Sequence, residues 1–108
     1  MENKPKIIFL AFSKFFSISP FNGLARKYAK YIIEQGHIPF APHLLFTQFL
    51  NDAKPEERKL GRNMGLKFMD FCDELWIFGE IISEGMKADI ESFKKMNKPI
   101  QYIQTQTT

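Results

Sequence analysis

Cysteine is nearly missing from this chain. Cys72 stands alone among 108 residues, which excludes an intrachain disulfide and leaves a buried core thiol as its expected role. Two histidines are too few to assemble a zinc site of several ligands at a characteristic spacing, so no metal and no cofactor is expected. No apolar run approaches the roughly eighteen residues of a membrane span, and the opening MENKPK leads into an apolar strand instead of a signal peptide. Long basic runs are missing too. The formal charge of +3 is spread over Arg26, Lys27, Lys30, Lys54, Arg58, Lys59, Arg62, Lys94 and Lys95, interleaved with acids. That is the pattern of solvated helix faces, and nucleic acid is an unlikely partner. These absences predict one cytoplasmic domain over residues 1–108, away from any membrane.

What the chain does have is a short apolar run that stops at a glycine and opens into a helix, ELWIFGEIISEGMKADI over 74–90. Residues 75–78 suit a strand buried on both faces of a parallel sheet. Ser83 is placed to cap the following helix. Gly85 lets a ligand approach the backbone, and free N–H groups at a helix start favour a phosphate or carboxylate. Met86, Ile90 and Phe93 recur on one face, and Asp89 lies about 60° from the centre of that stripe. Asp89 is therefore the carboxylate of this helix expected to face the sheet edge, while Glu84 and Glu91 point to water.

Residues 6–12 (KIIFLAF) read as a central strand, followed by a loop over 13–21 where an open α/β sheet places its ligands. Asn22 is expected to cap a helix over 23–35 that Gly36 terminates. A short strand at 38–41, interrupted by Pro39, belongs at an edge and delivers Pro42 and His43 to the same rim. A short helix is expected within 44–50. Pro55, Glu56 and Glu57 start a long helix to about residue 71. Leu60, Met64, Phe68 and Phe71 form its expected buried stripe, and Gly61 with Gly65 leave room for a close neighbour, such as a helix of a second subunit. Residues 99–103 make a last strand. Alternating strands and helices at these spacings predict a three-layer α/β sandwich. It is Rossmann-like or flavodoxin-like, with a parallel sheet of four or five strands in the order 2-1-3-4 and with Ile7, Phe9, Leu75, Ile77 and Ile100 in the core. Twelve phenylalanines in so short a chain, with LLFTQFL beside a glycine-bearing helix, favour a homo-oligomer.

The segments PHLLFTQFLND, PEERKLGRNMG, CDELWIFG and SEGMKADI, in that order, resemble a bacterial and phage family of small proteins related to the nucleoside 2-deoxyribosyltransferases. The resemblance covers nearly the whole chain. It implies a site for a nucleoside or nucleotide in which a helix carboxylate attacks the anomeric carbon, as an N-glycosidase or a deoxyribosyltransferase. By that resemblance Gly85 is the motif glycine and Asp89 the carboxylate, where the transferases carry glutamate, one methylene longer. The chemistry then needs a second group to protonate the departing base, and Glu80 or His43 is the candidate. Ser83, Gly85 and Met86 would hold a phosphate or sugar hydroxyl, and Ser13 and Asn22 would complete the floor.

Each of these residues also has a structural role open to it. Ser83 can be only a cap, Trp76 belongs to the core, Asp73 suits a turn or a hydrogen bond to backbone, and Arg58 and Arg62 suit solvated surface or a neighbouring subunit's pocket. Two other functions stay open: a nucleotide-binding or sensing module without turnover, and a structural accessory protein without a ligand.

Overall fold

The computed structural model describes residues 4–13, 21–51 and 53–104, with the backbone alone at 21–22. Four strands, β1 (Ile7–Phe12), β2 (Ile38–Phe40), β3 (Glu74–Phe78) and β4 (Ile100–Ile103), form one sheet in the order β2-β1-β3-β4. All three pairings are parallel, with Phe9 opposite Phe40 and Leu75, and Leu75 opposite Ile100. Among the described residues there is no fifth strand. The helices are α1 (Phe21–Glu34), α2 (Pro42–Phe46), α3 (Pro55–Phe68) and α4 (Glu84–Lys95), with a 3-10 turn at Met69–Phe71. This is the α/β architecture and strand order that the alternation of elements predicted.

Strand periodicity divides the central strands between two cores. Ile8 and Leu10 of β1 join Trp76 and Phe78 of β3 against Tyr28 and Ile32 of α1. Their neighbours Phe9, Ala11, Leu75 and Ile77 face the other way and meet Met86, Ile90 and Phe93 of α4, with Met69 and Cys72 below. Successive side chains of a strand point to opposite faces, so unbroken apolar runs are what a sheet covered on both sides requires. Full burial of an Ile or Phe of this kind contributes about 1.5–3 kcal/mol. Of the predicted core residues, Phe9, Leu75 and Ile77 are buried, while Ile7 and Ile100 pack at the margin.

The helix ends follow local chemistry. The carbonyls of Ile32 and Ile33 accept from the N–H groups of His37 and Gly36, and Gly36 has φ +88°. This is the left-handed C-terminal closure that glycine makes without strain. Asn97, at φ 57°, closes α4 in the same way. Asn22 does not precede the first helix as a cap, because α1 already begins at Phe21; its side chain, like residues 14–20 of the predicted loop, lies outside the described residues.

The long helix turns a different face inward from the one its apolar stripe suggests. Leu60, Met64, Phe68 and Phe71 are exposed, Phe71 by 68%. Gly65 and then Met69 are buried in their place. The two glycines meet α2 of the same chain, not a second subunit. A Cβ at Gly65 would lie 3.4 Å from Pro42 Cβ, and one at Gly61 would lie 3.4 Å from Leu50 and 3.5 Å from Phe46. Close approach of α2 through these small residues turns the stripe outward, and only its end reaches the core, where the Phe68 ring stacks on Phe40 with centroids 4.4 Å apart. The helix also ends at Phe68, and the 3-10 turn carries the chain to Cys72. Burial pushes the Cys72 thiol up to about 11, so it remains protonated and inert at neutral pH.

Candidate functional site

Ala11 is the smallest inward residue of β1, and the face of α3 opposite it carries Gly61 and Gly65. A pocket of about 560 Å³ at the carboxyl end of β1 is lined by Ala11 and by both of these glycines. That is within the range of small-molecule sites. Phe9, Phe12, Phe46 and Leu50 supply apolar walls, α3 adds Arg58, Lys59 and Arg62, α2 adds His43, and α4 contributes Asp89. The pocket lies between β1, α2 and α3, with Asp89 of α4 in its wall. The crevice between β1 and β3, where the change of direction in strand order predicted the ligand, holds a separate recess of about 170 Å³ on the α1 side.

Asp89 is positioned as its helical spacing predicts. It sits one residue before the buried Ile90 and is itself only 7% exposed. Its Oδ1 accepts a hydrogen bond from Arg62 Nη2 at 3.3 Å, while Oδ2 has no protein partner among the described residues. Burial pushes the Asp89 carboxyl up to about 6, and the nearby Arg62 guanidinium only partly offsets this. A carboxyl with that acidity, facing a pocket, can change protonation state near neutral pH.

Arg62, expected at solvated surface or in a neighbouring subunit's pocket, lies in the pocket of its own chain. Its Nη2 also donates to the Gly85 carbonyl at 3.2 Å. A Cβ on Gly85 would lie 3.4 Å from Arg62 Nη1, so the space beside this glycine is filled by a guanidinium instead of a ligand. The signal was available in the helical wheel. Arg58 and Arg62, four residues apart, share a face with Gly61, Gly65 and Met69, and a half-buried acid on α4 required a cation.

The helix start of α4 does not reach the pocket. Ser83 is its N-cap, with the hydroxyl accepting from the Met86 N–H at 3.3 Å and the Ser83 N–H donating to Met86 Sδ at 3.5 Å. The Met86 side chain is buried in the core. Ser83, Gly85 and Met86 therefore serve the cap, the guanidinium and the core, and none lines the pocket. Ser13 and Glu80 line the smaller recess with Tyr28 and Phe78. Of the predicted pair of acids, only His43 shares a pocket with Asp89; its ring stands edge-on to Phe12 with centroids 5.9 Å apart.

At the opposite end of the sheet, Asp73 Oδ2 accepts from the Ile7 N–H at 2.8 Å. This is the backbone-fixing role expected for it. Trp76 is buried, and its Nε1 donates to Glu74 Oε1 at 2.9 Å.

With this geometry in place, comparison with family models matches residues 15–103 to a domain of unknown function, DUF7768. The chain belongs to the DUF7768 family. No curated protein matches it. The match ends with β4 and includes every element that builds the pocket wall beyond β1. Among the described residues of this DUF7768 domain, no group of three or more His, Cys, Asp or Glu is gathered for a metal ion. No helix among them is long and apolar enough to cross a membrane.

Proposed function

We propose that this DUF7768 domain is a cytoplasmic nucleoside or nucleotide N-glycosidase, or a deoxyribosyltransferase-like enzyme, with Asp89 as the group that meets the anomeric carbon. The observation that carries this reading is Asp89 itself. It is a buried carboxylate on a packed helix, held through one oxygen by Arg62 and lining a 560 Å³ pocket. The sequence resemblance to the deoxyribosyltransferases supplies the reaction class.

Cleavage of an N-glycosidic bond develops positive charge on the sugar ring, which a nearby carboxylate stabilises or traps. In this reading Asp89 Oδ2 bonds to C1′ as the C1′–N bond breaks, and protonated His43 gives its proton to the departing base. Water then attacks C1′, the Asp89 carboxylate leaves, and the proton of the water returns to His43. The sum is nucleoside plus water giving base plus sugar; a second base in place of water gives transfer. Arg62 fixes the rotamer of Asp89 and keeps part of its charge, a positioning role. His43 replaces Glu80 as the preferred acid because it lines the same pocket as Asp89.

The test is release of free base over time from a panel of nucleosides and their 5′-monophosphates. Asp89→Asn is expected to abolish it while the circular dichroism spectrum stays native, and His43→Asn to slow it more than Glu80→Gln does. Asp89→Glu restores the carboxylate length of the transferases and is expected to raise turnover. Ligand binding without release in all of these proteins would favour the second reading, a binding or sensing module, to which aspartate in place of glutamate also points. No binding at all would leave the accessory-protein reading.

A further inference from the structure

The pocket mouth carries more positive charge than its own acids use. Arg62 is engaged by Asp89 and by the Gly85 carbonyl. Glu57, the other carboxylate of the wall, accepts the Asn51 N–H at 2.6 Å and lies 3.9 Å from Lys54. Arg58 and Lys59 remain. Both line the pocket, both are exposed, and neither has a carboxylate partner among the described residues. Arg58 stands one turn before Arg62 on the inward face of α3, a rise of about 6 Å. Both arginines line the pocket, and Arg62 is the one that reaches Asp89.

We infer that Arg58 and Lys59 form a subsite for a phosphate monoester, so that the ligand of this pocket is a phosphorylated nucleoside and not a plain one. A guanidinium presents paired N–H donors that match two phosphate oxygens, and a lysine beside it adds a mobile charge. The subsite lies on α3, whereas the sequence reading placed the anion at the start of α4. There the capping hydroxyl already takes the Met86 N–H. The inference rests on the proposed function only for the position of the sugar over Asp89; the phosphate preference needs no turnover.

Isothermal titration calorimetry on the full chain, with four 2′-deoxynucleosides and their 5′-monophosphates at two ionic strengths, tests it. The monophosphates are expected to bind at least about tenfold more tightly than the matching nucleosides, with the advantage shrinking as salt rises. In the Arg58→Gln/Lys59→Gln double variant the ratio of the two affinities should fall toward one. Asp89→Asn should keep the ratio even if it stops base release. A native ratio near one, a ratio unchanged in the double variant, or no binding of either series overturns the subsite. Phosphate preference without base release leaves the subsite standing and removes the glycosidase. Base release at equal rates from both series, unaltered in the double variant, does the reverse.

Discussion

Glu74 and Asp89, the two buried carboxylates among the described residues, lie at opposite ends of the sheet and in opposite electrostatic states. Glu74 is 4% exposed and fully answered: Lys6 Nζ stands 2.7 Å from Oε2, and Trp76 Nε1 and Gln101 Nε2 donate to Oε1 at 2.9 and 3.0 Å. Burial works against its charge, yet these hydrogen bonds and the Lys6 ammonium together hold its carboxyl below the usual range. Asp89 is also buried, but Arg62 is its one side-chain donor among the described residues where Glu74 has three, so burial wins and its carboxyl rises to about 6. A carboxylate with a full set of donors holds strands together; one with a single partner at the wall of a cavity carries a cost that a ligand or a proton relieves.

The sharpest way to break this comparison is to remove Glu74. Glu74→Ala strands the Trp76 and Gln101 donors and should cost about 2–4 kcal/mol in urea denaturation at neutral pH. An unchanged midpoint would mean that the cluster is decorative. Because the Glu74 carboxyl is lowered, its contribution is present above the unfolded value of about 4.3 and is lost as pH falls through the lower folded value.

Asp89 carries the opposite sign. Its folded value of about 6 exceeds the unfolded value of about 3.9, so the native state holds the proton more tightly and stability falls as pH rises between them. Asp89→Asn should therefore stabilise the protein at pH 8, by at most about 3 kcal/mol and less where Arg62 is left without its partner, with no gain below about pH 4. Thermal unfolding across that range checks it, and a variant destabilised at every pH would make Asp89 a structural residue like Glu74.

A smaller effect is expected at Arg62. Arg62→Gln removes the charge that lowers the Asp89 carboxyl, so the acid limb of a pH–rate profile, or of nucleotide binding, should move upward from about 6. A profile that does not move would show that the pair is not coupled in solution.

The smallest expected effect lies far from both carboxylates. If the homo-oligomer expected from composition forms, the exposed seam of Leu60, Met64, Phe68 and Phe71 is the surface available to a second copy. Leu60→Glu/Met64→Glu should then reduce the mass seen by light scattering at tens of micromolar, an order-of-magnitude concentration for weak association. Base release per chain should change little. A native protein that is already monomeric there would count against self-association.

Sequence alone determined much of this, wherever the physics is local. Strand and helix periods, the caps at Ser83 and Gly36, the edge position of β2 and the inward turn of Asp89 all follow from residues within a few positions of one another. Tertiary structure decided what local periodicity does not contain. The apolar stripe of α3 faces outward because two glycines let α2 approach the other side, and an open pocket needs no apolar face against it. Arg62 meets Asp89 across 27 residues, and Lys6 meets Glu74 across 68. The choice between a satisfied carboxylate and a poised one was made by those distant partners, because a charge buried in a low-dielectric interior takes its acidity from whatever the fold places beside it.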